Sequence, residues 1–142
     1  MIKRLDKEDV EAFYDFFKSL SEKTKNFFNP HPFDKETAQR LCEEKDENYE
    51  RFVYYQEGKI VGYIFFSNLK SEYPGIGICI RDGYQGKGLG KKLLSFLIES
   101  AEKKEKKGLV LTVFKDNEKA FNLYRKMGFR VEREIYSMKL EF

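Results

Sequence analysis

Between residues 84 and 91 the chain reads Tyr-Gln-Gly-Lys-Gly-Leu-Gly-Lys. Gly86, Gly88 and Gly90 let the backbone turn tightly, because glycine has no Cβ to exclude positive φ. Their N–H groups can converge on an anion, and a helix beginning there adds the positive end of its dipole. Lys87, Lys91 and Lys92 bring positive side chains. The chemistry such a stretch supports is phosphate binding; the bland alternative is a tight strand–helix turn without a ligand. Two common phosphate loops do not fit. No Gly-x4-Gly-Lys-Ser/Thr register exists, and neither Ser nor Thr follows Lys91. The dinucleotide pattern would put Lys91 or Leu93 at its third small position.

Such a loop needs a strand before it and a helix after it. Ile76 to Arg81 reads as the strand, and Leu89, Leu93, Leu94, Leu97, Ile98 and Ala101 form the buried stripe of a helix over about 88–107. Gly108 ends that helix and Leu109 to Phe114 reads as another strand. Asp116 or Asn117 starts a helix to about Met127, with Gly128 in the C′ position. Upstream, Ile2 to Leu5 is a short strand and Asp6 an N-cap. A first helix over 7–20 carries Val10, Phe13, Tyr14, Phe17 and Leu20 at helical spacing. Asn29-Pro30-His31-Pro32 breaks the chain. Asp34 then caps a second helix over 35–45 with Ala38, Leu41 and Cys42 inward. Arg51–Gln56 and Lys59–Ser67 are strands joined by Glu57-Gly58, a hairpin signal. Residues 68–75 read as a loop and Val131–Phe142 as a final β region. The order β-α-α-β-β-β-α-β-α-β is α+β around a mixed sheet, with a right-handed parallel crossover over 76–114.

Composition bounds the rest. A length of 142 residues suits one domain over 1–142, too short for a two-halved dinucleotide fold or a (β/α)8 barrel. The aromatic content of 16% argues against disorder. The longest apolar run, Ile60–Phe66, falls well short of the ~20 residues of a membrane span. Lys3, Arg4 and Asp6 follow Met1 at once, unlike a signal peptide, so the expected location is cytoplasmic. Cys42 and Cys79 fit neither a zinc spacing nor a redox pair, and His31 is the only histidine, so no metal is expected. No Gly-x-Ser-x-Gly nucleophile turn exists. A net charge of +3 is too small to indicate nucleic acid. The Lys103–Lys107 run, interleaved with Glu99, Glu102 and Glu105, reads as a solvated helix end.

Gln85, Gly88 and Gly90 match Gln-x-x-Gly-x-Gly, and here the sequence resembles the GNAT acetyltransferase superfamily, whose Arg/Gln-x-x-Gly-x-Gly/Ala signature binds the pyrophosphate of acetyl-CoA. A second match lies downstream: Asn117-x-x-Ala120-x-x-Leu123-Tyr124-x-Lys126-x-Gly128-Phe129 is similar to the family's Asn-x-x-Ala-x-x-Leu-Tyr-x-Lys-x-Gly-Phe helix. The motifs cover about 76–129, and the element order extends the resemblance over the chain. It implies a three-layer α/β/α arrangement in which the strand before the loop splays from the next, parallel strand. The main chain of Ile78, Cys79 and Ile80 would then pair with the pantetheine arm, and the Ile80 N–H would serve as oxyanion donor. Gln85, Gly86, Lys87, Gly88, Leu89, Gly90 and Lys91 would hold the pyrophosphate. Asn117 would contact pantetheine, Tyr124 would contact the cofactor and protonate the departing thiolate, and Lys126 is either a phosphate contact or a solvated lysine.

What the resemblance implies about function is acetyl-CoA-dependent N-acetyl transfer to a primary amine by direct attack in a ternary complex, with a small amine, an aminosugar or a peptide amine as acceptor. A non-catalytic acyl-CoA-binding module is the alternative. No nucleic acid or membrane partner is expected, and the protein would be a monomer or homodimer. The general base stays open. The early-strand Glu of some relatives is replaced by Pro74-Gly75-Ile76, and the position used by ribosomal-protein alanine acetyltransferases is Thr112, leaving Glu72, Tyr73, His31, ordered water or the strand backbone. The aromatic loop Asn26–Phe33 either lines an acceptor pocket or anchors a helix corner. Only thirteen residues follow Phe129, so an abbreviated last hairpin and a cleft open on that side are expected.

Overall fold

Glu57 and Gly58 both adopt positive φ, 54° and 78°, in the computed structural model, which describes residues 1–142. That is the geometry of a two-residue turn whose twist matches its flanking strands. It joins β2 (Glu50–Gln56) to β3 (Lys59–Ser67). β1 (Ile2–Arg4) pairs antiparallel with β2, and β4 (Gly75–Ile80) pairs antiparallel with β3, giving the order β1-β2-β3-β4. β3 is buried along its whole interior because helices cover both faces of the sheet.

Local caps start the helices. The Asp6 side chain accepts from Glu8 N–H and Asp9 reaches back to the Asp6 N–H, a capping box that opens a 3-10 turn at Lys7–Asp9 and then α1 (Val10–Ser19). Ser21 caps α2 (Glu22–Phe27), and Asp34 caps α3 (Lys35–Cys42) by accepting from Thr37 N–H at 2.7 Å. Phe13, Phe16 and Phe17 of α1 and Leu41 of α3 pack on one sheet face against Val53, Tyr63 and Cys79. α4 (Leu89–Lys103) covers the other face, with Leu93, Leu97 and Ala101 against Ile64 and Phe66. β4 alternates accordingly: Cys79 faces α1, while Ile76, Ile78 and Ile80 face α4. α5 (Glu118–Lys126) follows. The expected α+β fold with helices on both faces is present.

Five details differ from the sequence reading. The first helix is a 3-10 turn plus α1, and α2 lies beyond it, running into the start of the aromatic loop Asn26–Phe33. α2 buries no residue, so no apolar stripe announced it; the Ser21 cap was its only signal. α4 stops at Lys103 because Glu105 turns left-handed, φ 58°, and Lys106 N–H bonds Ala101 O at 3.1 Å. The mixed sheet is reduced to a single parallel bridge, Gly75 to Val110, and Leu109–Phe114 forms no further ladder. Residues 130–142 form no strand, and Tyr136 and Met138 are 93% and 89% exposed. That segment holds no Gly, Asn or Asp, so it lacks the residues that adopt the positive φ of a tight two-residue hairpin turn.

The aromatic loop is an anchor. Phe28 and Phe33 pack against the α1-face cluster, and the His31 ring lies 5.5 Å from Phe17 and 5.8 Å from Tyr63. The same face sets a tight contact at Gly77, where a Cβ would come within 2.3 Å of the buried Phe65 ring. Gly77→Ala is expected to cost about 1–3 kcal/mol by overpacking, read from urea unfolding midpoints; an unchanged midpoint would show that the ring moves aside freely.

Candidate active site

The site begins with hydrogen-bond direction along β4. Arg81 N–H bonds Val61 O at 2.8 Å, and the register pairs Cys79 with Tyr63 and Gly77 with Phe65. Antiparallel pairs alternate between bonded and non-bonded, so the main-chain groups of Ile76, Ile78 and Ile80 point away from β3. Ile76 N–H is taken by Val110 O at 3.2 Å, and Val110 N–H bonds Pro74 O at 2.9 Å. Beyond that rung the two strands share no bridge, so Ile78 and Ile80 present main-chain groups to a gap. Cys79 differs from its neighbours: its main chain belongs to the β3 ladder and its thiol is buried on the α1 face. Burial pushes that thiol well above the ordinary cysteine range, which keeps it protonated.

At the end of β4 the chain enters the glycine loop. Gly83, Gly86 and Gly88 have φ of 89°, 77° and 83°, and Gly88 is the N-cap of α4 without any side-chain cap. The first in-helix N–H to find a carbonyl is that of Lys92, on Gly88 O at 3.1 Å, so the N–H groups of Leu89, Gly90 and Lys91 remain as donors at the helix end. Gln85 Nε2 donates to Ile80 O at 3.1 Å and folds the loop back on the strand. Gly90 has a packing reason as well, since a Cβ there would lie 3.1 Å from Leu123 of α5. Lys87 and Lys91 are exposed beside the loop, with Lys87 Nζ over the Tyr84 ring. Lys92 is turned to Tyr54, donating to its hydroxyl at 3.0 Å. A hollow of about 440 Å³ lined by Gln56, Glu57, Gly83, Tyr84, Lys87 and Leu89 borders the loop on the hairpin side.

α5 carries Asn117 and Tyr124. Asn117 is its N-cap, Oδ1 accepting from Ala120 N–H at 3.4 Å. At the other end Phe129 N–H bonds Tyr124 O at 3.0 Å, Gly128 N–H bonds Arg125 O at 3.1 Å, and Gly128 takes φ 102°. This is a Schellman cap, and its hydrophobic contact is the Phe129 ring set edge-on to Tyr124 at 5.8 Å. The Gly-Phe pair thus locks the turn that carries Tyr124. Burial, then the neighbouring Cys79, raises the Tyr124 pKa, so the phenol keeps its proton at neutral pH. Lys126 is exposed.

None of the side chains considered as general base stands free in the gap. Arg51 donates to the Tyr63 hydroxyl at 2.8 Å, which leaves Tyr63 O–H for His31 Nε2 at 3.1 Å, while His31 Nδ1–H meets Pro32 O at 2.8 Å. Burial, together with Arg51 and Arg40, lowers the His31 pKa from 6.5 to about 4. Glu72 is paired with Lys107 at 3.2 Å in solvent, and Tyr73 lies against Gly108. Thr112 is exposed and carries no carboxylate.

The sequence model of the acetyltransferase (GNAT) family matches residues 11–129. A spermine/spermidine N(1)-acetyltransferase of Bacillus subtilis is 36% identical over 91 residues, 57% of this chain and 59% of that protein's length. An L-methionine sulfoximine/L-methionine sulfone acetyltransferase of Salmonella typhimurium is 26% identical over 99% of this chain and 86% of its own length. In fold, the GNAT domain of S. lividans PAT superposes with a TM-score of 0.81 at 14% identity, covering 95% of this chain and 84% of that one. The chain belongs to the acetyltransferase (GNAT) family.

The His31 pKa has a consequence for stability. The folded state resists protonating this ring while the unfolded chain does not, so stability is constant above about pH 6.5 and falls as pH drops toward 4. The loss tied to Asp9 and Asp34, whose pKa values are lowered by hydrogen bonds, comes only below their ordinary 3.8. Urea midpoints of wild type should decline across the histidine window, and those of His31→Asn should stay level there; parallel slopes would contradict the assignment.

Proposed function

We propose that the chain is one acetyl-CoA-dependent N-acetyltransferase domain over residues 1–142, moving an acetyl group to a primary amine by direct attack in a ternary complex. The observation that carries this reading is the open edge of β4: the N–H groups of Ile78 and Ile80 and the Ile78 carbonyl turn unpaired into a gap that ends at the donor-rich N-terminus of α4, with Ile80 O held by Gln85. The fit to the cofactor is chemical. Pantetheine carries amides that can continue the ladder of Ile78 and Ile80, and a diphosphate suits the N–H groups of Leu89, Gly90 and Lys91 with the charge of Lys87 and Lys91. When bound, the cofactor supplies the activated acetyl thioester.

The chain's own residues do the rest. Ile80 N–H polarises the thioester carbonyl and stabilises the negative charge that grows on its oxygen. Tyr124, protonated in its half-buried setting, delivers a proton to the leaving sulfur. Asn117 positions α5 through its cap and offers its amide N–H groups to the pantetheine arm. With His31 and Glu72 engaged elsewhere and the Tyr73 ring against Gly108, the amine loses its proton through water or the strand carbonyls. The activities named for the relatives, on spermine or spermidine and on methionine sulfoximine or sulfone, support a small amine acceptor. No helix is long and apolar enough to cross a membrane.

Two substitutions separate the roles. Tyr124→Phe should lower kcat by about 10²-fold or more while leaving acetyl-CoA affinity within about threefold; unchanged turnover would remove Tyr124 from the mechanism. Gly88→Asp sets a side chain at φ 83° and a negative charge at the helix end, and should abolish acetyl-CoA binding by calorimetry. Retained binding would contradict the cradle. Coenzyme A release over a panel of polyamines, amino acids, aminosugars and peptides tests the activity itself, and silence across it with retained acetyl-CoA binding would favour a non-catalytic module.

A further inference from the structure

Two lysine ammoniums converge on one ring beside the glycine loop. Tyr84 is half-buried, and its N–H bonds Arg81 O at 3.0 Å, so the turn at the end of β4 fixes where the ring stands. Arg81 is itself buried, its Nε donating to Ile60 O at 2.8 Å and its guanidinium pairing with Asp15 at 2.9 Å. Lys59 Nζ comes from the hairpin to 5.4 Å from the Tyr84 ring centre, and Lys87 Nζ comes from the loop to 5.6 Å. Lys59 opens β3 opposite Gln56, and Gln56, Tyr84 and Lys87 line the hollow of about 440 Å³. No carboxylate pairs with either ammonium. Glu57, the one acid lining the hollow, is exposed. A tyrosine face attracts a cation. Two like charges brought to the same ring nevertheless repel each other, and an anion between them removes that repulsion.

We propose that Lys59 and Lys87, gathered by Tyr84, form a subsite for a phosphate monoester, the 3′-phosphate on the ribose of coenzyme A. The proposal rests on the donor reading above and adds to it the residues that recognise the nucleotide end. Its place follows from the path of the ligand. The gap lies on the Val110 side of β4 and the hairpin on its β3 side, with the start of α4 following the end of the strand. A pantetheine arm laid along the gap brings the diphosphate to the N–H groups of Leu89, Gly90 and Lys91, and Leu89 also lines the hollow. The 3′-phosphate is one sugar ring further on, toward Lys59 and Lys87. A monoester carries about −1.5 to −2 charges at neutral pH. Two flexible lysines supply compact positive charge to meet it, where the backbone donors are already given to the diphosphate. A phosphate on the acceptor would offer the same chemistry. The acceptor amine, however, has to reach the thioester beside Ile80 and Tyr124, at the far end of the donor from its ribose.

Calorimetry of the full chain with acetyl-CoA and with acetyl-dephospho-CoA, which lacks only the 3′-phosphate, tests this. Wild type should bind the dephospho form about tenfold more weakly, the scale of losing a charge-assisted hydrogen bond. Lys59→Ala should weaken acetyl-CoA by about the same factor while holding the dephospho form within about twofold of wild type, so that the preference disappears. Lys59→Gln, which keeps the length of the stem, should do the same, and Lys59→Arg should keep the preference. Tyr84→Leu should shrink it, and Glu57→Gln should tighten acetyl-CoA by about twofold. Equal affinity of wild type for the two ligands overturns the subsite and leaves the donor reading standing. So does a Lys59→Ala chain that weakens both ligands alike or keeps the full preference. A KM for O-phosphoethanolamine as acceptor that rises in Lys59→Ala, with acetyl-CoA affinity unchanged, assigns the lysines to an acceptor phosphate and also overturns the proposal. Wild type that binds neither ligand overturns the donor reading and the subsite with it.

Discussion

One parallel rung governs this site. Gly75 and Val110 meet, their neighbours exchange two backbone hydrogen bonds, and the strands then part. A fully zipped pair would occupy the main-chain groups of Ile78 and Ile80. Without the rung, the segment after α4 would have no register against the sheet. The glycine loop and α5 take their places from this partial pairing. The loop leaves the free end of β4, and α5 follows the free end of the departing segment. Leu123 lies against Gly90, placing α5 beside the first turn of α4.

Charge and proton placement follow from the same geometry. The uncapped start of α4 concentrates N–H donors and lysines at one mouth of the wedge, where a polyanion fits. Tyr124 lies at the end of a helix whose Schellman cap is closed by the Phe129 ring, in a setting dry enough to hold its proton. The aromatic excess of the chain is mostly structural. Phe13, Phe17, Phe28, Phe33 and Tyr63 build one face of the core, and the Arg51–Tyr63–His31 chain pairs the buried Tyr63 hydroxyl on both sides. His31, which by its uniqueness drew attention as a catalytic base, is a neutral core residue.

What was legible in the sequence was what local chemistry decides. The Glu57-Gly58 turn, the Asp6, Asp34 and Asn117 caps, the Gly128 C′ position and the glycine loop each depend on residues within a few positions of one another, and each is present. Leu109–Phe114 and Val131–Phe142 were read as strand, but a β-rich run states only which side chains can share a face. Whether a ladder forms depends on a partner, and these segments have one rung and none. α2 escaped notice because it lacks an apolar stripe, and its attachment to Asp82 joins residues about sixty positions apart, a contact no local pattern reveals. The motif positions Gln85 and Asn117 were legible as site residues, yet both also serve the chain itself, Gln85 on Ile80 O and Asn117 as a helix cap.

The open edge of β4 is the claim on which the functional reading stands, and amide NMR of the full chain reads it residue by residue. Without ligand, Cys79 N–H, bonded within the β3 ladder, should exchange slowly, while Ile78 and Ile80 N–H exchange fast. Acetyl-CoA should shift both isoleucine amides and slow their exchange, leaving Cys79 unchanged. Isoleucine amides already as protected as Cys79 in the free chain, or indifferent to saturating acetyl-CoA, would contradict the account.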